Sequence, residues 1–76
     1  MVTYKNLGGN SGIVAYKTEP NAITVEFRSG KERFYLYTAN SCGQSNVKHM
    51  CSLAQNGIGL NSFIMLNVKS DFEKKW

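Results

Sequence analysis

The sequence is poor in the residues that most catalytic and metal sites use. Its 76 residues include one histidine, two cysteines and five acidic residues. These residues are scattered and offer no pair suited to acid–base catalysis, so an enzyme is not expected. Cys42 and Cys51 lack the Cys-x-x-Cys spacing of a zinc site, and we expect neither a metal nor another cofactor.

Long apolar runs are also missing. No run approaches the roughly 20 residues that a membrane span needs, so no membrane contact is expected. Residues 1–6 lack the apolar stretch of a secretory signal. We therefore expect a cytoplasmic protein in which both cysteines are free thiols, although two cysteines also allow one disulfide.

Acidic residues are outnumbered by basic ones. Nine Lys and Arg against five Asp and Glu give a net charge of +4. This excess raises the expectation of an anionic partner such as RNA, but many small proteins carry as much charge for solubility alone. The length and the absence of linkers or repeats predict a single domain over residues 1–76.

The first half of the chain predicts an antiparallel meander. Apolar and polar residues alternate from Ile23 to Arg28, Ser29-Gly30 supplies a turn, and an aromatic strand follows. Strands are expected at 13–17, 22–28 and 33–38, with a short edge strand near Val2–Tyr4.

The second half predicts two short helices. Val47, Met50 and Ala54 form a stripe at helical spacing, and Gly57 suits the left-handed position after the helix. Asn61-Ser62 is expected to cap a second helix whose apolar side carries Ile64, Val68 and Phe72. The predicted fold is α+β, with a sheet of three or four antiparallel strands followed by two helices on one face.

The register of the central hairpin stays open, and it decides the role of two tyrosines. A loop of two or six residues puts Phe34 and Leu36 on the core face, and a loop of three or five residues puts Tyr35 and Tyr37 there. We favour the first register, because Phe and Leu gain more from burial than hydroxylated rings do.

The sequence contains an ordered set of residues across 11–72: Ser11-Gly12-Ile13, Tyr16, the strand 23–27 with Gly30, Tyr35-Leu36-Tyr37, the segment 50–54, Gly57 and Asn61-Ser62-Phe63-Ile64. This set resembles the KTSC domain, a family named for the C-terminus of some lysyl-tRNA synthetases and also found as small stand-alone bacterial proteins. The chain departs from the family pattern at 38–43, where a Val-Pro step is expected, and at Phe72, where a tyrosine is expected. RNA binding has been suggested for the family because of the synthetase association, and the resemblance implies no more than that.

The leading hypothesis is therefore a non-catalytic binding module for RNA. In the favoured register, aromatic rings on an open sheet face would stack on unpaired bases while nearby cations hold phosphates. The candidate residues are Arg28, Lys31, Arg33, Tyr35 and Tyr37, with Lys69, Lys74 and Lys75 as secondary phosphate contacts. The alternative is that the tyrosines pack under a helix with their hydroxyl groups at its rim.

The rival hypothesis is a protein-interaction or homodimerisation module. Met65 and Leu66 are apolar residues outside the predicted helix stripe, and Trp76 is a further large apolar residue. Exposed together, they would form a patch larger than small monomers usually carry. Two weaker candidates are an anion site at 57–62 and a nucleophilic pair of Cys42 and His49.

Overall fold

The computed structural model describes residues 1–76, and its centre is a five-stranded antiparallel sheet. The strands lie in chain order, so each pairs with the next one along the sequence. They are β1 (Val2–Thr3), β2 (Ile13–Glu19), β3 (Ala22–Phe27), β4 (Phe34–Thr38) and β5 (Lys74–Lys75).

All of the helical residues lie between β4 and β5. The helices are α1 (Ala39–Cys42), α2 (Gln44–Asn56) and α3 (Leu60–Phe63), and α3 continues into a π-helical turn at Ile64–Val68. The longest of these has 13 residues, and none combines the length and apolar composition that crossing a membrane requires.

The helices pack on one face of the sheet and form a single hydrophobic core with it. Ile23 and Val25 from β3 lie fully buried against Met50 of α2 and Leu60 of α3. The predicted α+β class, with a strand meander followed by helices on one face, is confirmed. The sheet has one strand more than the largest number predicted, because residues 74–75 return to its edge.

The register of the central hairpin differs from the favoured prediction. Ile23 pairs with Tyr37 and Val25 pairs with Tyr35, so both tyrosines lie on the helix-covered face. The backbone N–H of Phe27 donates to the carbonyl of Arg33 at 2.7 Å, which leaves a five-residue loop between them. The favoured register was therefore wrong, and the alternative one is correct.

The two tyrosines fill the space beneath the helices. The ring of Tyr37 is 1% exposed and fills the core, while the half-buried Tyr35 packs edge-to-face between Phe27 and Phe72. Large amphipathic rings fit this space because their polar ends reach its margin. Phe34, on the opposite face, is covered in part by stacking on Trp76 at 5.6 Å.

The segment between β4 and the predicted helical stripe contains the short helix α1. Thr38 caps it: the Ser41 amide donates to the Thr38 hydroxyl at 3.1 Å, and the Thr38 amide donates to the Ser41 hydroxyl at 3.0 Å. This reciprocal capping starts the helical segment earlier than the stripe in α2 suggested. The end of α2 agrees with the prediction, since Gly57 has a left-handed φ of 78°.

The second predicted helix begins and ends elsewhere than expected. Asn61 and Ser62 lie inside α3, after Gly59, and make no capping hydrogen bond. Ile64 and Val68 are buried as predicted. Phe72 lies beyond the helical segment, and Lys74 and Lys75 belong to β5 rather than to a helix end.

Candidate functional site

The largest cavity is an open groove of about 660 Å³ at one end of the sheet, on the helix-covered face. It lies between the β3–β4 loop, the π-helical turn and the segment that leads into β5. We call it the basic groove. It is lined by Gly12, Phe27, Arg28, Ser29, Gly30, Lys31, Glu32, Tyr35, Tyr37, Met65, Lys69, Ser70, Phe72 and Lys75.

One wall of the basic groove is the β3–β4 loop, which is tied to the start of β2. The Arg28 amide donates to the carbonyl of Gly12 at 2.7 Å. The Arg28 guanidinium donates to the carbonyl of Ser11 at 3.5 Å. These hydrogen bonds fix the base of the loop, so that Arg28 and Lys31 line the groove.

The other wall is the chain that returns from the helices to the sheet. The Glu73 amide donates to the carbonyl of Leu36 at 2.7 Å and starts the pairing of this segment with β4. Lys75 then lies opposite Tyr35. Because side chains alternate between the faces of a strand, Lys75 lies on the groove side and Lys74 on the other.

The floor is aromatic. Tyr35 lies between Phe27 and Phe72, each with its ring centre 5.2 Å away and nearly perpendicular to it. All three rings are half-buried, and Tyr37 lies beside them. Rings in this arrangement stiffen one another and offer a planar ligand an apolar surface.

The groove concentrates positive charge. Four cations, Arg28, Lys31, Lys69 and Lys75, line it together with a single carboxylate, Glu32, so that its net charge is +3. The whole chain carries +4. A cleft lined by one sign of charge focuses the field and raises the local concentration of oppositely charged ligands. The groove is therefore suited to an anion that also carries a flat apolar group.

Tyr37 lies at the buried side of this groove as a neutral phenol. Burial raises the pKa of Tyr37 above its usual range, and Tyr35, Cys42 and Asp71 add smaller effects in the same direction. Its hydroxyl group therefore stays protonated at neutral pH and adds no negative charge to a site for anions.

Most of the predicted nucleic-acid contacts meet at the groove, although not on the open sheet face where the favoured register put them. Six of the eight line it: Arg28, Lys31, Tyr35, Tyr37, Lys69 and Lys75. Arg33 is exposed but does not line the groove. Lys74 lies on the other sheet face, with its Nζ atom 5.3 Å from the centre of the Trp76 ring.

Sequence reasoning missed Phe27 and Phe72 as parts of the site. The helical spacing of Phe72 from Val68 suggested a core position in a helix. The order of aromatic and basic residues in the sequence does not reveal the groove, because its walls come from segments about 40 residues apart.

The three residues of the predicted partner surface do not form one patch. Met65 is 46% exposed and lines the basic groove. Trp76 is also 46% exposed but stacks on Phe34, on the opposite face of the sheet. Leu66, at 83% exposed, is the most exposed large apolar residue of the chain.

The weaker candidates have other contacts. Cys42 lies in α1, and burial raises the pKa of its thiol, the opposite of what a nucleophile needs. The His49 ring stacks on Phe63 at 4.5 Å. At 57–62 the amide of Leu60 already donates to the Tyr4 hydroxyl at 3.3 Å, in a smaller cleft of about 240 Å³ that no charged side chain lines.

Searches of protein-family models, curated proteins and solved structures found no match to this chain. No group of three or more His, Cys, Asp and Glu side chains is arranged to hold a metal ion.

Proposed function

We propose that the protein is a non-catalytic module that binds single-stranded RNA in the basic groove. The observation that carries this proposal is the combination of an aromatic floor with four cations around it. Bases of any sequence stack on aromatic rings, and this stacking contributes roughly 1–3 kcal/mol per base to binding. Cations at the same time bind the phosphates. The groove volume of about 660 Å³ is in the range of natural small-ligand sites.

RNA, rather than another anionic polymer, is proposed because of the resemblance to the KTSC domain. That membership and a cytoplasmic location remain parts of the proposal, and both depend on the sequence alone. The groove adds independent support for an anionic ligand with planar groups, because its charge and its rings lie together.

The proposal is tested by fluorescence anisotropy of a labelled single-stranded RNA and a labelled tRNA at two salt concentrations. We compare the wild-type protein with Lys31→Ala/Lys69→Ala, which removes two groove cations. The matched control is Lys17→Ala/Lys48→Ala, which removes two exposed lysines outside the groove. Both variants have the same net charge, and circular dichroism checks their folding.

We expect micromolar binding that weakens with salt, because phosphate contacts release counterions. The groove variant should bind more weakly than the wild type. The plot of log K against log salt should also become less steep by roughly 1.4, because each of the two lost phosphate contacts accounts for about 0.7 of the slope. The control variant should keep the slope. Equal losses in both variants, or no wild-type binding at low salt, would contradict the proposal.

A second candidate function is self-association or protein binding through the helical face that carries Leu66. The observation in its favour is that Leu66 is 83% exposed, so that this leucine has no role in the hydrophobic core. An apolar interface is nearly insensitive to salt, unlike RNA binding. Light scattering should then show a mass that rises with concentration and that returns to the monomer value in Leu66→Ser.

A further inference from the structure

The basic groove contains one carboxylate, and it contacts one of the groove cations. The Glu32 carboxylate lies 3.3 Å from the Nζ atom of Lys75, which is the only salt bridge in the structure. Glu32 belongs to the β3–β4 loop and Lys75 to β5, so the pair joins the two walls of the groove.

Lys75 also lies against the aromatic floor. Its Nζ atom is 5.9 Å from the ring centre of Tyr35 and 5.4 Å from that of Phe72. The ammonium group therefore has an anion beside it and aromatic rings beneath it. A bound nucleotide would offer the same two partners, a phosphate and a base, to this lysine.

We infer that Glu32 is an autoinhibitory contact of the groove, because its carboxylate pairs with Lys75 and so competes with a ligand phosphate for this cation. This inference rests on the proposed function. A ligand phosphate must replace the internal carboxylate before it can pair with Lys75. Glu32 therefore weakens the binding of anionic ligands and has no effect on neutral ones, which do not pair with Lys75.

The exposure of the pair makes this exchange feasible. The side chains of Lys75 and Glu32 are 40% and 48% exposed. A salt bridge this accessible to water contributes little, so a phosphate that also contacts Arg28, Lys31 or Lys69 can displace the carboxylate.

The inference is tested with Glu32→Gln, which keeps the shape of the side chain and removes its charge. Glu19→Gln is the matched control, since Glu19 is exposed at the end of β2, outside the groove, and gives the same change in net charge. The probe is the labelled single-stranded RNA described above, with an oligonucleotide of neutral methylphosphonate backbone as a second probe.

We expect Glu32→Gln to bind the RNA about two- to fivefold more tightly than the wild type, the range of an exposed salt bridge. Glu19→Gln should stay within about twofold of the wild type, and the neutral probe should bind both variants equally weakly. In a Lys75→Ala background, Glu32→Gln should bring no further gain, as a double-mutant cycle would show.

Wild-type binding with no difference between Glu32→Gln and Glu19→Gln would overturn the role of Glu32 and leave the proposed function intact. A persistent gain in the Lys75→Ala background would also overturn it, because the carboxylate would then act by long-range repulsion alone. The absence of any wild-type binding at low salt would instead overturn the proposed function.

Discussion

The two faces of the sheet differ in the number of large apolar side chains that they carry and in what covers them. On the helix-covered face, Ile23 and Val25 are fully buried and the tyrosines of β4 line the groove. On the opposite face, Thr24, Glu26 and Leu36 are half-buried and no helix covers them. The comparison shows that one face provides the stability of the domain and also, at its end, the candidate binding site.

The largest expected effect comes from breaking the covered face. Ile23→Ala should lower the free energy of unfolding by about 2–5 kcal/mol, because it leaves a cavity in a closed core. Thr24→Ala, one residue away on the opposite face, should cost at most about 1 kcal/mol. Urea denaturation followed by circular dichroism measures both. A similar loss in the free energy of unfolding for the two variants would mean that the covered face does not stabilise the domain more than the open face.

A smaller effect should follow from raising the pH, because Tyr37 is buried in the core and the half-buried Cys42 and Cys51 pack against it. Burial raises the pKa of Tyr37, Cys42 and Cys51, so each group stays protonated to a higher pH in the folded protein than in the unfolded chain. The unfolded chain ionises first, at about pH 8.5 for thiols and about pH 10 for tyrosine. Their contribution to stability is therefore complete below those values and is lost as the pH rises further.

We expect the free energy of unfolding to be level between about pH 7 and pH 8 and to fall above about pH 8.5. Urea denaturation at a series of pH values measures this decline. Tyr37→Phe should reduce the decline in the free energy of unfolding above about pH 10, because it removes the phenol whose pKa burial raises. A stability that rises with pH in this range would show that these groups are ionised in the folded state.

The smallest expected effect is an absence of change at Trp76, the only tryptophan. It stacks on Phe34 on the face opposite the basic groove. Acrylamide quenching of its fluorescence should therefore stay the same when RNA fills the groove. Protection of Trp76 by RNA would move the binding site to the open face, where the favoured register first suggested stacking.

The general fold was predictable from the sequence because its strongest patterns are local. The alternation around Ile23 and Val25, the helical stripe through Val47 and Met50, and the left-handed turn at Gly57 all appear in the structure. Each of these depends on neighbouring residues only. They define these strands and helices and also which face of β3 and of α2 is buried.

The register and the edge strand were not predictable in the same way. Both faces of β4 are apolar, since Phe34 and Leu36 alternate with Tyr35 and Tyr37, so hydrophobicity alone does not select a face. The loop between Phe27 and Arg33 has five residues rather than six, and this difference of one residue places Tyr35 and Tyr37 on the covered face. The strand β5 has only two residues and exists because Leu36 and Phe34 offer it backbone partners.

The candidate site depends on those two unpredictable features. Its basic residues were identified individually from the sequence, but their meeting point requires Tyr35 on the covered face and Lys75 opposite it. The role of Glu32 follows only from its distance to Lys75. Sequence patterns give no information about such a contact between a loop and a distant strand.

The position of β5 also has a consequence for solubility. β4 runs Phe34–Thr38 without a charge or a proline, a composition typical of segments that aggregate. One edge of β4 pairs with β3, and the other is covered by β5 through mutual hydrogen bonds between Phe34 and Trp76, each 2.9 Å. Two lysines on this short strand make the outer edge unattractive to another chain. The residues that complete the groove thus also keep the most aggregation-prone strand from templating the assembly of further copies.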